Sequence, residues 1–569
     1  MISKSYFSIS TVIVLMAMLT SVSFAQDVVT LEPYNVNQQF LVDQIAADTA
    51  ANDGVIPEGR IYELIGGEVY LNTSILFIED YETLHVRSSN DEKAIIYQYP
   101  TGSGDNPNNP PGNLFISRGG DIILDGLAVT GYYEPGDDLS EEEFDELYTV
   151  QGGLLRTNQE GASIIVTNSI FSNVAGQILR TEGSTVKIHF EDVVFANLGA
   201  LSTSNFGAGK GIDLREASVD SLIMINNTFV NYQDRPIRHY NFGNPEAGTG
   251  AIGYGLFDHN TFVNGMGFHG VLSLGTVGDK IEITNNLFVD AFASGEDPTD
   301  DTRTAEWANT GEQYDNGNNR MAWIFANPNE TTEWVIENNY FAVTAEGQNF
   351  LDSYEELSVG EPLSIHIRER LGDSADDAFT QIDDPGLTNV PDLMIGLMTY
   401  YIEVAEKTKD TPNDYWNPAT EDMDRRPITY YVNDFDASYS TSSAAYTGAT
   451  DGFPVGDLNW FPAIKEDWVS TSSEIIAGDI PTTISLKQNY PNPFNPATTI
   501  QYDLATASNV QIDVFDMLGR KVATLVNNDF QQAGTYRVNF DASNLSSGIY
   551  IYMLKAGDIS QTKRMTLIK

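Results

Sequence analysis

The chain has 569 residues, a formal net charge of -50 at pH 7, 41% hydrophobic residues and no cysteine. Its length exceeds one ordinary compact core, so it requires several domains or a repeat. The acidity excludes a nucleic-acid partner, whose phosphates would be repelled, and the lack of cysteine excludes disulfides and a lipid-modified cysteine anchor.

The N-terminus reads as a signal peptide over residues 1–25. Lys4 gives a positive start, residues 9–23 are apolar apart from small hydroxyls, and Ser23-Phe24-Ala25 is a small-x-small cleavage site before Gln26. The apolar run is short for a transmembrane span, which needs about 20 residues. An uncleaved anchor is the alternative, and no later segment is long and apolar enough to span a membrane.

Residues 26–470 read as one passenger. Phe40, Leu41, Ile45 and Ala46 stand at helical spacing within residues 34–52, which predicts an amphipathic cap before a first repeat at residues 55–75. The repeat emerges when Phe171, Phe195, Phe229, Phe262, Phe288 and Phe341 are aligned. Seven before them stand Ile164, Ile188, Leu222, Gly255, Ile281 and Trp334. Three before stand Asn168, Asp192, Asn226, His259, Asn285 and Asn338, and two after stand Asn173, Asn197, Asn231, Asn264 and Asp290. Residues 122–129 fit as an earlier copy, with Val129 in the Phe position.

Apolar residues alternating with polar ones describe a strand with one buried face. Asn tolerates left-handed backbone and turns the chain. The gaps of 24, 34, 33, 26 and 53 residues suit one turn of a stacked parallel sheet, the longer ones carrying a loop. The pattern resembles the right-handed parallel β-helix repeats of the pectate-lyase-like superfamily over residues 54–346. The resemblance implies an all-β solenoid but fixes no activity, because that fold hosts lyases, hydrolases and inert surface proteins.

One strand further on, Ile178-Leu179-Arg180, Leu214-Arg215, Ile237-Arg238 and Leu272-Ser273 each end on a polar residue. This predicts Arg180, Arg215 and Arg238 in one outward column about 4.8 Å apart, with Lys210, Asp213, Arg235, His239 and His269 nearby. Stacked guanidinium groups need an anion between them. Glu182, Asp213 and Glu216 would give a salt-bridge ladder, whereas an acidic polysaccharide would make the column a binding groove. In a lyase, the sugar carboxylate is neutralised and a base removes the adjacent proton. The resemblance then implies Arg215 or Arg238 as the base, and His239 and His269 are alternative proton carriers by their own chemistry. It likewise implies Arg180 or Arg235 as the carboxylate clamp, with Lys210 and His269 beside them. It also leaves calcium open as a cofactor. Two acidic clusters could serve a divalent cation, Asp137-Asp138 with Glu141-Glu142-Glu143 and Glu296-Asp297 with Asp300-Asp301. Both read as outside loops, and the bland alternative is a solubilising acidic surface.

Residues 390–406 predict a second capping helix, and residues 453–462 a clip laid on the last turn through Trp460 and Phe461. Residues 471–481 read as a linker and as a charge boundary. Residues 482–569 hold 8 Lys+Arg and 6 Asp+Glu, which leaves 22 against 74 in residues 1–481. This last segment carries Leu486-Lys487-Gln488-Asn489-Tyr490-Pro491-Asn492-Pro493-Phe494-Asn495-Pro496, Val514-Phe515-Asp516-Met517-Leu518-Gly519-Arg520, Leu545-Ser546-Ser547-Gly548-Ile549-Tyr550 and Lys563-Arg564-Met565-Thr566-Leu567-Ile568-Lys569. In that order the four motifs resemble the type A C-terminal sorting domain of the type IX secretion system. The resemblance implies a small β-sandwich read by that machinery, passage of the outer membrane, and display at the surface or release.

Overall fold

The computed structural model describes residues 27–100, 111–131, 153–199, 206–215, 217–239, 251–303, 322–323, 332–410, 423–471, 474–476, 484–489, 492–504, 508–517, 520–531, 534–543, 545–557 and 559–569. The expected signal peptide, Glu216 and the acidic cluster at residues 137–143 lie outside the described residues.

The molecule is mostly β. Up to residue 381 its strands are parallel and form three ladders. The first links Asp27–Leu31, Arg60–Leu64, Thr83–Ser88, Asp121–Asp125, Ser163–Val174, Thr185–Leu198, Val219–Ile225, Ile252–Asp258, Val277–Thr284 and Glu333–Glu337. The second links Val69–Asn72, Ala94–Gln98 and Leu127–Thr130 to the C-terminal halves of Ser163–Val174 and Thr185–Leu198. It continues through Thr228–Tyr232, Thr261–Gly265, Leu287–Val289 and Asn339–Ala342 to Phe379–Gln381. The third has shorter strands: Leu76–Glu79, Phe115–Arg118, Gly153–Thr157, Gln177–Thr181, Lys210–Asp213, Ile237–Arg238, Leu272–Ser273 and Ala322–Trp323.

The pairing register is the register of the sequence repeat. Val129, Phe171, Phe195, Phe229, Phe262, Phe288 and Phe341 pair in succession. Rings of Phe195 and Phe229 stack with centroids 4.2 Å apart, Phe229 and Phe262 at 5.2 Å, and Phe262 and Phe288 at 4.8 Å. Each enclosed ring contributes about 1.5–3 kcal/mol of burial free energy. The corners explain why Asn and Asp recur. Asn168, Asp192, Asn226, His259, Asn285 and Asn338 have φ between 48° and 61°, and Asn173, Asn197, Asn231, Asn264 and Asp290 between 46° and 59°. Short polar side chains tolerate this left-handed backbone best after glycine. The residue after the first corner points inward. Asn227, Asn260, Asn286 and Asn339 are fully buried, and each Nδ2 donates to the next Oδ1 at 2.9, 3.0 and 2.9 Å.

Helices Tyr34–Asn37 and Leu41–Ala50 close one end, where Leu41 and Ile45 join Leu31, Tyr62 and Leu64 in the core. At the other end the expected cap is corrected. Leu363, Ile367 and Phe379 enter the core there, whereas helix Ile395–Glu403 packs on the flank against Phe206, Met266 and Phe268. Those outward aromatic and apolar side chains supply the partner that Leu397, Met398 and Tyr401 need.

Residues 385–391 and 424–461 lie as a strap over the outer face of the second ladder. Two outward columns lie under it: Ala128, Ile170, Val194, Thr228, Thr261 and Leu287, and beside them Ala196, Val230, Val263 and Val289. Ile428, Tyr431, Phe435 and Ala437 cover the lower part, and Tyr439, Ala445 and Val455 cover Leu287 and Val289. The expected clip therefore docks mid-stack rather than on the last turn. Trp460 Nε1 donates to Thr228 Oγ1 at 2.9 Å, with its ring edge-on to Phe435.

The C-terminal part has two four-stranded antiparallel sheets sharing one apolar core, in which Tyr502 and Val538 of one sheet meet Val510, Tyr552 and Leu554 of the other. Within the segment read as a linker, Glu474–Ile476 pairs with Gly534–Asp541 as the outer strand of one sheet.

Candidate functional site

The outward face of the third ladder holds most of the residues singled out above. Arg156 pairs with Arg180, Arg180 with Asp213, Asp213 with Arg238, and Arg238 with Ser273. The column thus reads Arg, Arg, Asp, Arg, Ser. Arg215 stands outside it, beyond the end of Lys210–Asp213, with φ 42°. The sequence offers two apolar-then-polar steps, Ile212-Asp213 and Leu214-Arg215. Ile212 pairs with Leu179 and Ile237 in the core, which makes Asp213 the outward residue.

Asp213 is fully buried between two arginines. Its Oδ2 lies 3.9 Å from Arg180 Nε and its Oδ1 3.7 Å from Arg238 Nη1. Arg180 Nε is also 3.6 Å from Glu182, whose other oxygen pairs with Arg156. Burial pulls the Arg180 guanidinium below its usual range, and Asp213 opposes that pull. The side chains of Arg156 and Arg180 keep 33% and 29% exposure, that of Arg238 only 11%.

Behind the column lies a second cluster, centred on Asp234. Lys210 Nζ is 3.0 Å and Arg235 Nε 3.4 Å from Asp234 Oδ2. His269 reaches Asp234 Oδ1 through Nδ1 at 2.9 Å and its backbone N–H at 3.2 Å. All four residues are buried. Burial would raise the Asp234 carboxyl, but Arg235, Lys210 and His269 override it and hold it far below the usual carboxylate range. A carboxylate only accepts, so His269 Nδ1 carries the proton. Burial pulls Lys210 down to about 8, with Asp234 opposing.

His239 bonds to backbone rather than to either cluster, with Asp213 near enough to act on its charge. It is fully buried, its Nδ1 donates to Leu274 O at 3.1 Å, and burial pulls its pKa down to about 4. Gly275, at φ +63°, lies over the ring, where a Cβ would come within 2.6 Å of Nδ1.

Arg156 and Asp234 were not anticipated. Arg156 was within reach, because Leu154-Leu155-Arg156 repeats Ile178-Leu179-Arg180 one turn earlier. Asp234 follows the corner at Asn231, where no repeat position announces a buried charge.

The expectation of an outside acidic loop at residues 296–301 is corrected. Glu296, Asp297 and Asp300 are buried. Lys407 Nζ lies 2.6 Å from Asp297 Oδ2, and Tyr401 Oη and the Arg303 N–H donate to Asp300 at 2.7 and 2.8 Å. A lysine on a neighbouring segment thus pairs with Asp297, while Asp300 is held by hydrogen bonds. Among the described residues, no group of three or more His, Asp or Glu is arranged to hold a metal ion.

No curated protein and no solved structure matches the chain. Residues 488–569 match the family of secretion system C-terminal sorting domains. No helix among the described residues is long and apolar enough to cross a membrane. The antiparallel C-terminal part is therefore a type IX secretion sorting domain, which implies recognition by that machinery and export to the cell surface or the extracellular space.

Proposed function

We propose that the sorting domain exports a right-handed parallel β-helix, with residues 1–25 serving as signal peptide, and that the passenger binds acidic polysaccharide at the cell surface without turning it over. The in-register pairing of one sequence repeat supports the β-helix reading. The observation that carries binding over catalysis is Asp213. A carboxylate against Arg238 stabilises the protonated guanidinium, which makes that arginine a poor base. His239 and His269 face carbonyl and carboxylate partners inside the fold rather than a ligand outside it. Arg156 and Arg180 keep enough exposed fork to meet a glycan carboxylate or sulfate.

The test is a panel of pectate, alginate, chondroitin sulfate and ulvan, each with and without calcium. Retention on at least one glycan is expected, weakened several-fold in Arg156→Ala and Arg180→Ala and falling with salt, with no rise in ultraviolet absorbance. Absorbance from unsaturated uronates would establish a lyase and overturn the non-catalytic reading. Absence of retention on every glycan would leave an adhesin or matrix protein that binds no acidic sugar.

A further inference from the structure

The strap crosses the second ladder over a break in its apolar outer column. Ala128, Ile170 and Val194 give way to Thr228 and Thr261 on two successive strands, and Leu287 restores the apolar character. The two hydroxyls meet one strap residue. Thr228 Oγ1 donates to Asp457 Oδ2 at 2.7 Å, and the Asp457 N–H donates to Thr261 Oγ1 at 2.8 Å. The next strap residues continue the docking. Leu458 N–H donates to Asn226 Oδ1 at 3.1 Å, and Asn459 Nδ2 donates both to Asp457 Oδ1 at 2.8 Å and to Asp192 Oδ1 at 3.1 Å.

We propose that Asp457 is the latch of a pH-sensitive clasp, which holds the strap on the stack when protonated and loosens it when ionised. Asp457 is 2% exposed, within a strap otherwise seated on apolar side chains. The charged groups around it are few. Asp192, on the corner between the first two ladders, faces it through Asn459. Lys465 of helix Pro462–Thr471 pairs with Asp192 at 2.5 Å and donates to Asn459 Oδ1 at 2.7 Å. His259, paired with Asp258 at 3.0 Å, contacts Trp468 of the same helix. Thr228, Thr261 and Asn226 contribute no charge.

Burial, helped by Asp192, raises the Asp457 carboxyl to about 7, against the lowering effect of its hydrogen bonds and of Lys465. A released strap would return it to the ordinary range near 4. Docking is therefore strongest below that range, where both states hold the proton. It weakens as pH rises, because the released strap ionises first, and levels off above about 7. Loosening the clasp bares the apolar columns of Val194, Val230 and Val263.

The experiment is proteinase K cleavage of the full chain within residues 443–461, compared at each pH with Asp457→Asn so that the protease's own pH profile cancels. Asn reproduces the neutral acid in size and charge. The ratio of wild-type to D457N cleavage is expected to rise at least about tenfold between pH 5 and pH 8.5, since one pKa unit is tenfold in the opening equilibrium. A ratio independent of pH overturns the latch. Asp192→Asn provides a second reading on an intact Asp457, and is expected to move the cleavage midpoint to lower pH. A midpoint that stays in place also overturns it.

Discussion

Asp213 shows how one residue changes the meaning of a surface. Three arginines stacked alone would demand a bound anion, whereas a carboxylate enclosed between Arg180 and Arg238 makes the column largely self-neutralised. Replacing Asp213 with Ala leaves two crowded guanidinium groups without it. We expect a loss of roughly 2–4 kcal/mol, somewhat below that for breaking a fully buried pair because Arg180 is partly solvated. Urea unfolding of the passenger measures this loss, and the same variant should hold acidic glycan more tightly at low salt. Unchanged stability together with unchanged retention would mean that Asp213 neither braces the arginines nor competes with the sugar.

At the scale of elements, the asparagine ladder and the phenylalanine column do different work. Asn260 donates to Met224 O and Asn286 Oδ1 and accepts from both the N–H and Nδ2 of Asn227, all inside the core. Asn260→Ala strands those partners, and a cost of about 2–4 kcal/mol is expected. Phe229→Ala removes a ring stacked on both sides, at about 3–5 kcal/mol. Denaturation midpoints of the two variants should fall comparably, and an Asn260 variant as stable as wild type would contradict the ladder. These elements were legible because their spacing repeats: Phe195, Asn226 and Ile281 each have counterparts at a fixed offset. The third ladder was less legible. Its strands shrink to two residues at Ile237–Arg238, too short for alternation to fix the register, so Leu214-Arg215 passed for the outward step. The strap carries no repeat at all. Asp457 and Trp460 find their partners over two hundred residues away, at Thr228, and no local pattern announces such a contact.

Across the whole molecule, charge separates the exported body from its address. Residues 1–481 carry 74 acidic against 22 basic residues, whereas residues 482–569 are nearly balanced. Self-repulsion in the acidic part should ease with salt, so the urea midpoint of the passenger is expected to rise between 10 mM and 0.5 M NaCl. A flat profile would indicate that the carboxylates are already neutralised locally, as Asp297 is by Lys407. Removing residues 484–569 should leave the passenger inside the outer membrane, which cell fractionation would reveal. The third ladder has one further consequence. The long sequence stretches at residues 131–152, 199–209, 239–251 and 290–321 each lead into or out of one of its short strands, while the corner between the first two ladders stays short. Lengthening or shortening those stretches leaves the stacked phenylalanines undisturbed. A lineage built on this plan could diversify its outward chemistry along one side by insertion and deletion alone, while the remaining two walls stay constant.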